Sequence, residues 1–381
     1  MTSVSNENAK TESSKTDSAK KQKSPTKSFE VLVINPGSTS TKIAIFQNKK
    51  SIVQTLIALP ISFIEDFPNV IDQLEIREQV IYDFLTANNY DLTKLNAVVG
   101  RGGLLKPISG GVYKVTSIMC SDLIQAKFGE HASNLGPLLA DRISSNYNIP
   151  AFIVDPVTTD EFIPETKISG VPGIERKCRS HALSIKSVAR KTAKKLKKDI
   201  SKTKFVVAHL GGGVSVCAFK EGKIIDSTDA LLGEGPFSVE RAGTIASERI
   251  IEMCIDQKLS REQITQILTK ESGFKGYLNE TNLQAIYNMI NNGDKKARKV
   301  LSAFVIQVVK WIGSMVALLK GKVDNIIITG GMANSESLMK EISLYVENFA
   351  PITIIPGELE MEALAAGAIR VLSGQENFKI Y

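Results

Sequence analysis

Apolar and polar residues alternate in short blocks along this chain, and the blocks predict interleaved strands and helices. Apolar runs at 31–34 and 43–46, joined by a polar Gly-rich turn, read as a β-hairpin, with 51–57 as a third strand. Residues 65–87 have helical spacing, and a short strand at 97–99 runs into Gly100-Arg101-Gly102-Gly103. Leu135, Leu138, Leu139 and Ile143 share one face of a helix over 135–145, and the β-rich run 151–154 stops at Asp155. The second half starts again with a hairpin over 205–226, followed by helices near 240–256, 260–270, 280–290 and 294–320. A strand at 325–329 ends in Gly330-Gly331. Another helix, a strand at 351–355 and a last helix from about 360 close the chain. Such alternation predicts an α/β fold.

The two hairpins repeat one design 174 residues apart. In the first, Val31-Leu-Val-Ile-Asn35 leads through Gly37-Ser38-Thr39-Ser40 to Lys42 and a second strand. In the second, Phe205-Val-Val-Ala-His209 leads through Gly211-Gly212-Gly213 to another. At that offset Asn35 falls on His209, Gly37 on Gly211 and Ala44 on Ala218. Each turn offers bare backbone N–H groups to an anion, and the first adds hydroxyls. Two such turns facing each other would hold the phosphates of one nucleotide. Neither copy has the spacing of a P-loop or of a dinucleotide-binding turn, so both of those routes to phosphate are disfavoured. The duplication predicts two α/β halves, 29–204 and 205–381, with the active site between them and the last helix able to pack back on the first half.

Charge changes this picture little. Residues 1–28 hold six lysines against three acids and no aromatic residue, and removing that surplus of three leaves +4 of the formal +7. That composition predicts a disordered tail. It lacks the apolar core of a secretory signal and the arginines of a mitochondrial presequence, so a cytoplasmic protein is expected. The four cysteines are scattered, without C-x-x-C spacing, as in a reducing compartment. A basic run from Lys186 to Lys204 falls on a helix whose Ile185, Val188, Ala189, Thr192 and Leu196 share a face. The lysines therefore form a solvated surface, and no nucleic-acid partner is expected. No run approaches the ~18 apolar residues of a membrane span.

The candidate chemistry lies at turns and strand ends. The three histidines, His131, His181 and His209, each adjoin a polar or Gly-rich turn, without metal-ligand spacing between them. Arg101 and Arg241 sit on Gly-flanked backbone, where a guanidinium can approach a phosphate or carboxylate bidentately. Asp155 ends a buried strand at the edge where ligands of α/β sheets collect, and Mg²⁺ needs one or two such carboxylates besides phosphate oxygens. Glu360 and Glu362 open the last helix.

Several of these segments, in the same order, resemble motifs of the butyrate kinases within the acetate kinase group. They are Ile34-Asn-Pro-Gly-Ser-Thr-Ser-Thr-Lys42, Gly100-Arg-Gly-Gly-Leu-Leu105, Gly129-Glu-His-Ala-Ser-Asn-Leu-Gly136 and Phe152-Ile-Val-Asp-Pro156. Ala208-His-Leu-Gly-Gly-Gly213, Gly233-Glu-Gly-Pro-Phe237, Thr329-Gly-Gly331 and Met361-Glu-Ala-Leu364 continue the series, so the likeness spans about 29–372. It implies two duplicated actin-like (ribonuclease H-like) domains with an ATP cleft between them. It also implies a homodimer or larger assembly, and reversible phosphorylation by ATP with Mg²⁺ of a short-chain fatty acid to its acyl phosphate.

By the same resemblance Asn35 contacts the transferring phosphate. Arg101 and Arg241 hold the carboxylate and the transferring group, and His181 steadies that group. Asp155 lies near metal and substrate, and one of Glu360 and Glu362 is metal-linked. His131 and His209 are the remaining family histidines, on the substrate and nucleotide sides, and Gly330-Gly331 lies beneath the adenosine. The turn residues Gly37, Ser38, Thr39, Ser40, Lys42, Gly211, Gly212 and Gly213 face the phosphates. Val239-Glu-Arg-Ala and Met332-Ala-Asn-Ser depart from the expected Pro-Glu-Arg-Ser and Ile- or Leu-Ala, which bears on substrate detail. Three other readings compete: an acetate or propionate kinase of the same group, an actin-like ATPase switch, and a sugar kinase with Asp155 as base.

Overall fold

The computed structural model describes residues 27–60 and 67–381. All but two residues of the expected 1–28 tail, and the first stretch of the 65–87 helix, lie outside the described residues. Twelve strands are found among them: β1 (Glu30–Pro36), β2 (Ser40–Gln47), β3 (Lys50–Ala58), β4 (Ala97–Arg101), β5 (Val112–Lys114) and β6 (Ala151–Val154), then β7 (Lys204–Leu210), β8 (Val214–Lys220), β9 (Lys223–Ser227), β10 (Asn325–Gly330), β11 (Ile352–Pro356) and β12 (Lys379–Ile380).

They build two sheets, with orders β12-β5-β6-β4-β1-β2-β3 and β11-β10-β7-β8-β9. Each sheet holds an antiparallel three-strand meander, β1-β2-β3 or β7-β8-β9, whose first strand then pairs in parallel with a later one, β4 or β10. The duplication read from the hairpins thus extends to whole sheets.

The core repeats as well, with one correction. Val31 and Val33 of β1 share a face with Ala44 and Phe46 of β2, while Phe205 and Val207 share the equivalent face with Cys217 and Phe219. Pairing puts Val33 opposite Ala44 but Val207 opposite Cys217, so the partner of Ala44 is Cys217 and not Ala218. The cause is the turn. Four residues, 37–40, lie between the paired Pro36 and Thr41, but only three, 211–213, between Leu210 and Val214. A one-residue slip would have turned every β8 side chain to the wrong face, so the offset drops by one after the turn.

Packing crosses the chain order. The Glu360–Leu372 helix lays Ala363, Leu364 and Ala368 on the first sheet, beside Val31, Val33 and Phe46. The Ala182–Lys195 helix lays Ile185, Val188 and Ala189 on the second sheet. Each half covers one face of the other's sheet. The opposite faces are covered locally, by the Leu74–Ala87 and Leu135–Asn146 helices on the first sheet and the Lys295–Leu318 helix on the second. That last helix is long and apolar enough to cross a membrane by length and composition alone. Phe304, Val308 and Ile312 on its face are wholly buried in the protein core instead.

Two predicted helices are shorter than their apolar patterns. The expected 65–87 helix begins at Leu74, after a 3-10 turn over Val70–Gln73. The 240–256 helix is helical only over Ser247–Ile255, because residues 242 and 244 give their N–H groups to Leu268 and Gly235 rather than to the preceding helical turn.

Where the halves meet, Lys186 is almost completely buried, its ammonium 2.7 and 2.8 Å from the two oxygens of Glu161 and 3.1 Å from the Gly222 carbonyl. Glu161 also accepts from the Gly110 and Ile224 N–H groups at 3.0 and 2.9 Å, so it joins both sheets to the crossing helix. Breaking such a pair strands a buried charge. Lys186→Met is expected to lower unfolding free energy by about 3–5 kcal/mol in chemical denaturation. A loss under about 1 kcal/mol would mean that water reaches the pair.

Candidate active site

Strand β1 ends in the buried Asn35, whose Nδ2 donates to Glu360 Oε2 at 2.7 Å and whose Oδ1 accepts from Arg101 at 3.3 Å. Arg101 ends the neighbouring parallel strand β4 and also donates to Glu360 Oε2, at 3.2 Å. Glu360 is the first residue of the crossing helix, so this three-residue junction joins the two ends of the chain. Its other oxygen, Oε1, has no protein partner among the described residues.

The backbone of Arg101 is held by a close approach that only glycine permits. A Cβ on Gly100 would lie 2.2 Å from the Gly136 carbonyl oxygen, and one on Gly136 would lie 2.3 Å from that of Arg101. The bare pair lets the Leu135–Asn146 helix start directly against β4. Just before it, His131 caps a short turn by accepting from the Ser133 N–H at 3.1 Å.

His209 ends β7 as Asn35 ends β1. Its ring stacks on that of His181, with centroids 4.0 Å apart and planes 12° apart. Each ring is fixed through Nδ1, His209 to Ser184 Oγ at 3.0 Å and His181 to Ser215 Oγ at 2.9 Å. The Ser215 hydroxyl also accepts from the His181 backbone N–H at 3.3 Å. Where the Ser215 hydroxyl gives its hydrogen to Nδ1, the proton of a neutral His181 lies on Nε2.

Neutrality follows from the surroundings. Burial, then His209, Arg101 and Arg241, hold His181 well below the usual imidazole value. Burial draws His209 down to about 4, although Glu360 and Glu358 oppose it. His131 is lowered by desolvation at the cavity wall and by the same two arginines. Arg241 donates to the Ala230 carbonyl and lies against Gly213, where a Cβ would strike its guanidinium and come within 3.2 Å of His181 Cε1.

These groups meet at a cavity of about 260 Å³ lined by Arg101, His131, Asp155, His181, Arg241 and Glu360. Part of its wall is apolar, from Leu104, Val157, Leu183 and Leu231. Sequence reading named none of these four. Leu104 alone carried a signal, in the Gly-Gly-Leu-Leu run.

The three carboxylates expected near a metal sit in different surroundings. Asp155 lines the cavity, with a left-handed backbone (φ 38°), but both carboxylate oxygens are engaged. Oδ1 accepts from the Gly111 N–H at 2.7 Å and Oδ2 lies 3.4 Å from Arg190, a cation that disfavours a second cation there. Glu362 is exposed and outside the cluster, because residues two apart on a helix point to different faces. Glu360 is the carboxylate in place. Among the described residues no group of three or more His, Cys, Asp or Glu could cage a metal ion.

The two turns differ in which backbone groups they leave bare. Ser38 and Thr39 are exposed, and neither N–H has a protein partner among the described residues. In the second turn Gly211 donates to the Gly213 carbonyl at 3.1 Å, and the Gly212 carbonyl is held by Ser238 Oγ at 2.7 Å. Lys42 reaches Glu358 at 2.5 Å, beside the junction. Gly330 (φ 94°) passes so close to β7 that a Cβ would lie 2.3 Å from the Leu210 carbonyl oxygen, which places Gly330-Gly331 next to the second turn but outside the cavity.

Known proteins resemble this chain in sequence and in fold. A family model, the Acetokinase family, matches residues 167–370. A probable butyrate kinase of Clostridium botulinum is 44% identical over 354 residues, 93% of this chain and 100% of that protein. Butyrate kinase 2 of Clostridium acetobutylicum is 45% identical over 353 residues, covering 93% and 99%. Among solved structures, the acetate kinase of Porphyromonas gingivalis superposes with a TM-score of 0.74 at 17% identity, covering 90% of this chain and 100% of that one. A propionate kinase of Francisella tularensis gives 0.69 at 20% identity, covering 89% and 98%. The fold is therefore the two-sheet, actin-like α/β fold of the acetate kinases, and the chain belongs to the Acetokinase family.

Proposed function

We propose that this protein is a carboxylate kinase that transfers the γ-phosphoryl group of ATP to a short-chain fatty acid, reversibly giving an acyl phosphate and ADP. The observation that carries the reading is the cavity between the halves, where two arginines and two neutral imidazoles meet an apolar wall. Relatives named butyrate kinases at 44–45% identity support it.

In this reading a carboxylate oxygen attacks the γ-phosphorus in line as the β–γ bridging P–O bond breaks. The carboxylate is already ionised at pH 7, so no general base is needed and no proton moves. The protein positions the two reactants and neutralises charge. Arg101 and Arg241 flank the transferring group, and His181 offers it a neutral Nε2–H donor. Asn35 is steered by Glu360. His209 stiffens His181 by stacking, and His131 closes the substrate side. The turns of 37–40 and 211–213 hold the phosphates, with Lys42 beside the first and Gly330-Gly331 beneath the adenosine.

The donor set fits Mg²⁺ carried mainly by phosphate oxygens. Glu360 would supply the protein's carboxylate, and the ion would neutralise phosphate charge. Asp155 acts on the wall, through Gly111 and Arg190, and not on the metal.

The acyl chain rests on Leu104, Val157, Leu183 and Leu231, which favours acids of four or five carbons. Residues 29–204 and 205–381 serve as the two halves, each lending the other a helix. The four free thiols fit a reducing cytoplasm, and the family likeness suggests a homodimer or larger assembly.

With ATP, Mg²⁺ and hydroxylamine, butyrate is expected to yield hydroxamate, which neither an ATPase switch nor a sugar kinase would form. Each methylene buried contributes about 0.8 kcal/mol, so kcat/KM for butyrate or isobutyrate should exceed that for acetate by about tenfold. A maximum at acetate would place the chain in the acetate branch.

Arg101→Ala and Arg241→Ala should each lower kcat by ~10²–10⁴-fold, with lysine failing to restore it for want of the bidentate fork. Near-normal turnover in both alanine variants would remove the proposed site.

The histidines set the pH response. A histidine whose folded pKa is depressed contributes stability above its unfolded value, near 6.5, and loses it as pH falls towards the folded value. For His209 that window runs from about 6.5 down to about 4. Stability should decline through it, while kcat shows no imidazole titration between about pH 6 and 8. An imidazole resonance of His181 or His209 titrating near pH 7 in NMR would contradict this.

A further inference from the structure

The Leu74–Ala87 helix buries an arginine completely: Arg77 has no exposed surface and no carboxylate among its partners. Its guanidinium lies beneath the first turn. NH1 donates to the Ser40 carbonyl at 3.0 Å and Thr41 Oγ1 at 2.8 Å, and NH2 to the Gly37 and Ser38 carbonyls at 3.0 and 3.2 Å. Gln73 Oε1, one helical turn back, accepts from Nε and NH2 at 3.1 and 2.9 Å. Burial lowers its pKa to about 10, so it stays charged at neutral pH.

We infer that Arg77 is a positioning residue that shapes and charges the first turn for the terminal phosphates of the nucleotide, an assignment that rests on the function proposed above. The geometry follows from the peptide unit, in which C=O and N–H point in opposite directions. With the Gly37 and Ser38 carbonyls drawn down to the guanidinium, the N–H groups of Ser38 and Thr39 are turned away from it. Those are the two N–H groups without partners. The electrostatics follow from burial. A cation enclosed by neutral oxygens has no countercharge among the described residues, so an anion above the turn completes the pair. The second turn differs. There a neutral hydroxyl, Ser238, holds the Gly212 carbonyl. Arg241, beside Gly213, gives its hydrogen bond to the Ala230 carbonyl and not to that turn, so a buried cation bonded to the turn's own carbonyls belongs to the first turn, and Arg77 acts on phosphate only through it.

The test is calorimetric binding of Mg²⁺ with adenylyl imidodiphosphate, which carries the full triphosphate chain, against AMP, which lacks the terminal phosphates. Arg77→Lys keeps a charge but loses the planar fork, and should weaken the triphosphate analogue by about tenfold or more while changing AMP by less than about twofold. Arg77→Ala should weaken it further, and millimolar methylguanidinium should restore part of the loss. Gln73→Leu leaves the arginine in place but removes its anchor, so a smaller loss of the same kind is expected. It decides the matter if the Arg77 variants do not fold. Wild-type affinity for the triphosphate analogue in Arg77→Lys and Gln73→Leu overturns the inference, as does an equal loss for both ligands, which marks general damage. Wild-type protein that binds neither ligand overturns the nucleotide reading itself, and this inference with it.

Discussion

The structure turns on one carboxylate oxygen, Glu360 Oε2, which accepts at once from Asn35 and Arg101. Asn35 and Arg101 end adjacent strands of the first sheet, and Glu360 starts a helix that the chain reaches only after building the second. The junction can form only when that helix lies across the first sheet. The stacked histidines, the cavity and the turns keep their relation to one another because both sheets are tied to the two crossing helices. The buried Lys186–Glu161 pair makes the matching tie from the other side.

The histidines show how little charge the site wants on its acceptors. Imidazolium would add to a site already holding two guanidinium groups, and burial beside them suppresses it. What remains is a pair of neutral, stacked imidazoles whose orientation is fixed by Ser184 and Ser215.

Much of this was legible in the sequence, because a strand, a polar residue and a Gly-rich turn recur twice and both copies fold into equivalent hairpins. Asn35, His209 and both turns were readable from that repeat, and Arg101 from its glycines. The slip of one residue in the second copy was not, since register depends on turn length, which apolar pattern alone does not reveal. Arg77 was also invisible. In a helix of mixed polarity an arginine reads as surface, and only the fold shows that it is sealed beneath the turn. The surroundings of Asp155 and Glu362 were not legible either, because a carboxylate at a strand end or helix start says nothing of the Arg190 beside it or of the helical face it occupies. The apolar wall of the cavity is assembled from four separate segments, and no single local motif encodes it.

The exchanged helices set the order of synthesis against the order of burial. One face of the first sheet, with Val31, Val33 and Phe46, is covered by Ala363, Leu364 and Ala368, which leave the ribosome more than three hundred residues later. Until then that sheet carries a bare apolar face, and the second sheet cannot supply a substitute. The first half to be made is therefore the last to be finished, and its nascent form has the exposed surface that chaperones recognise.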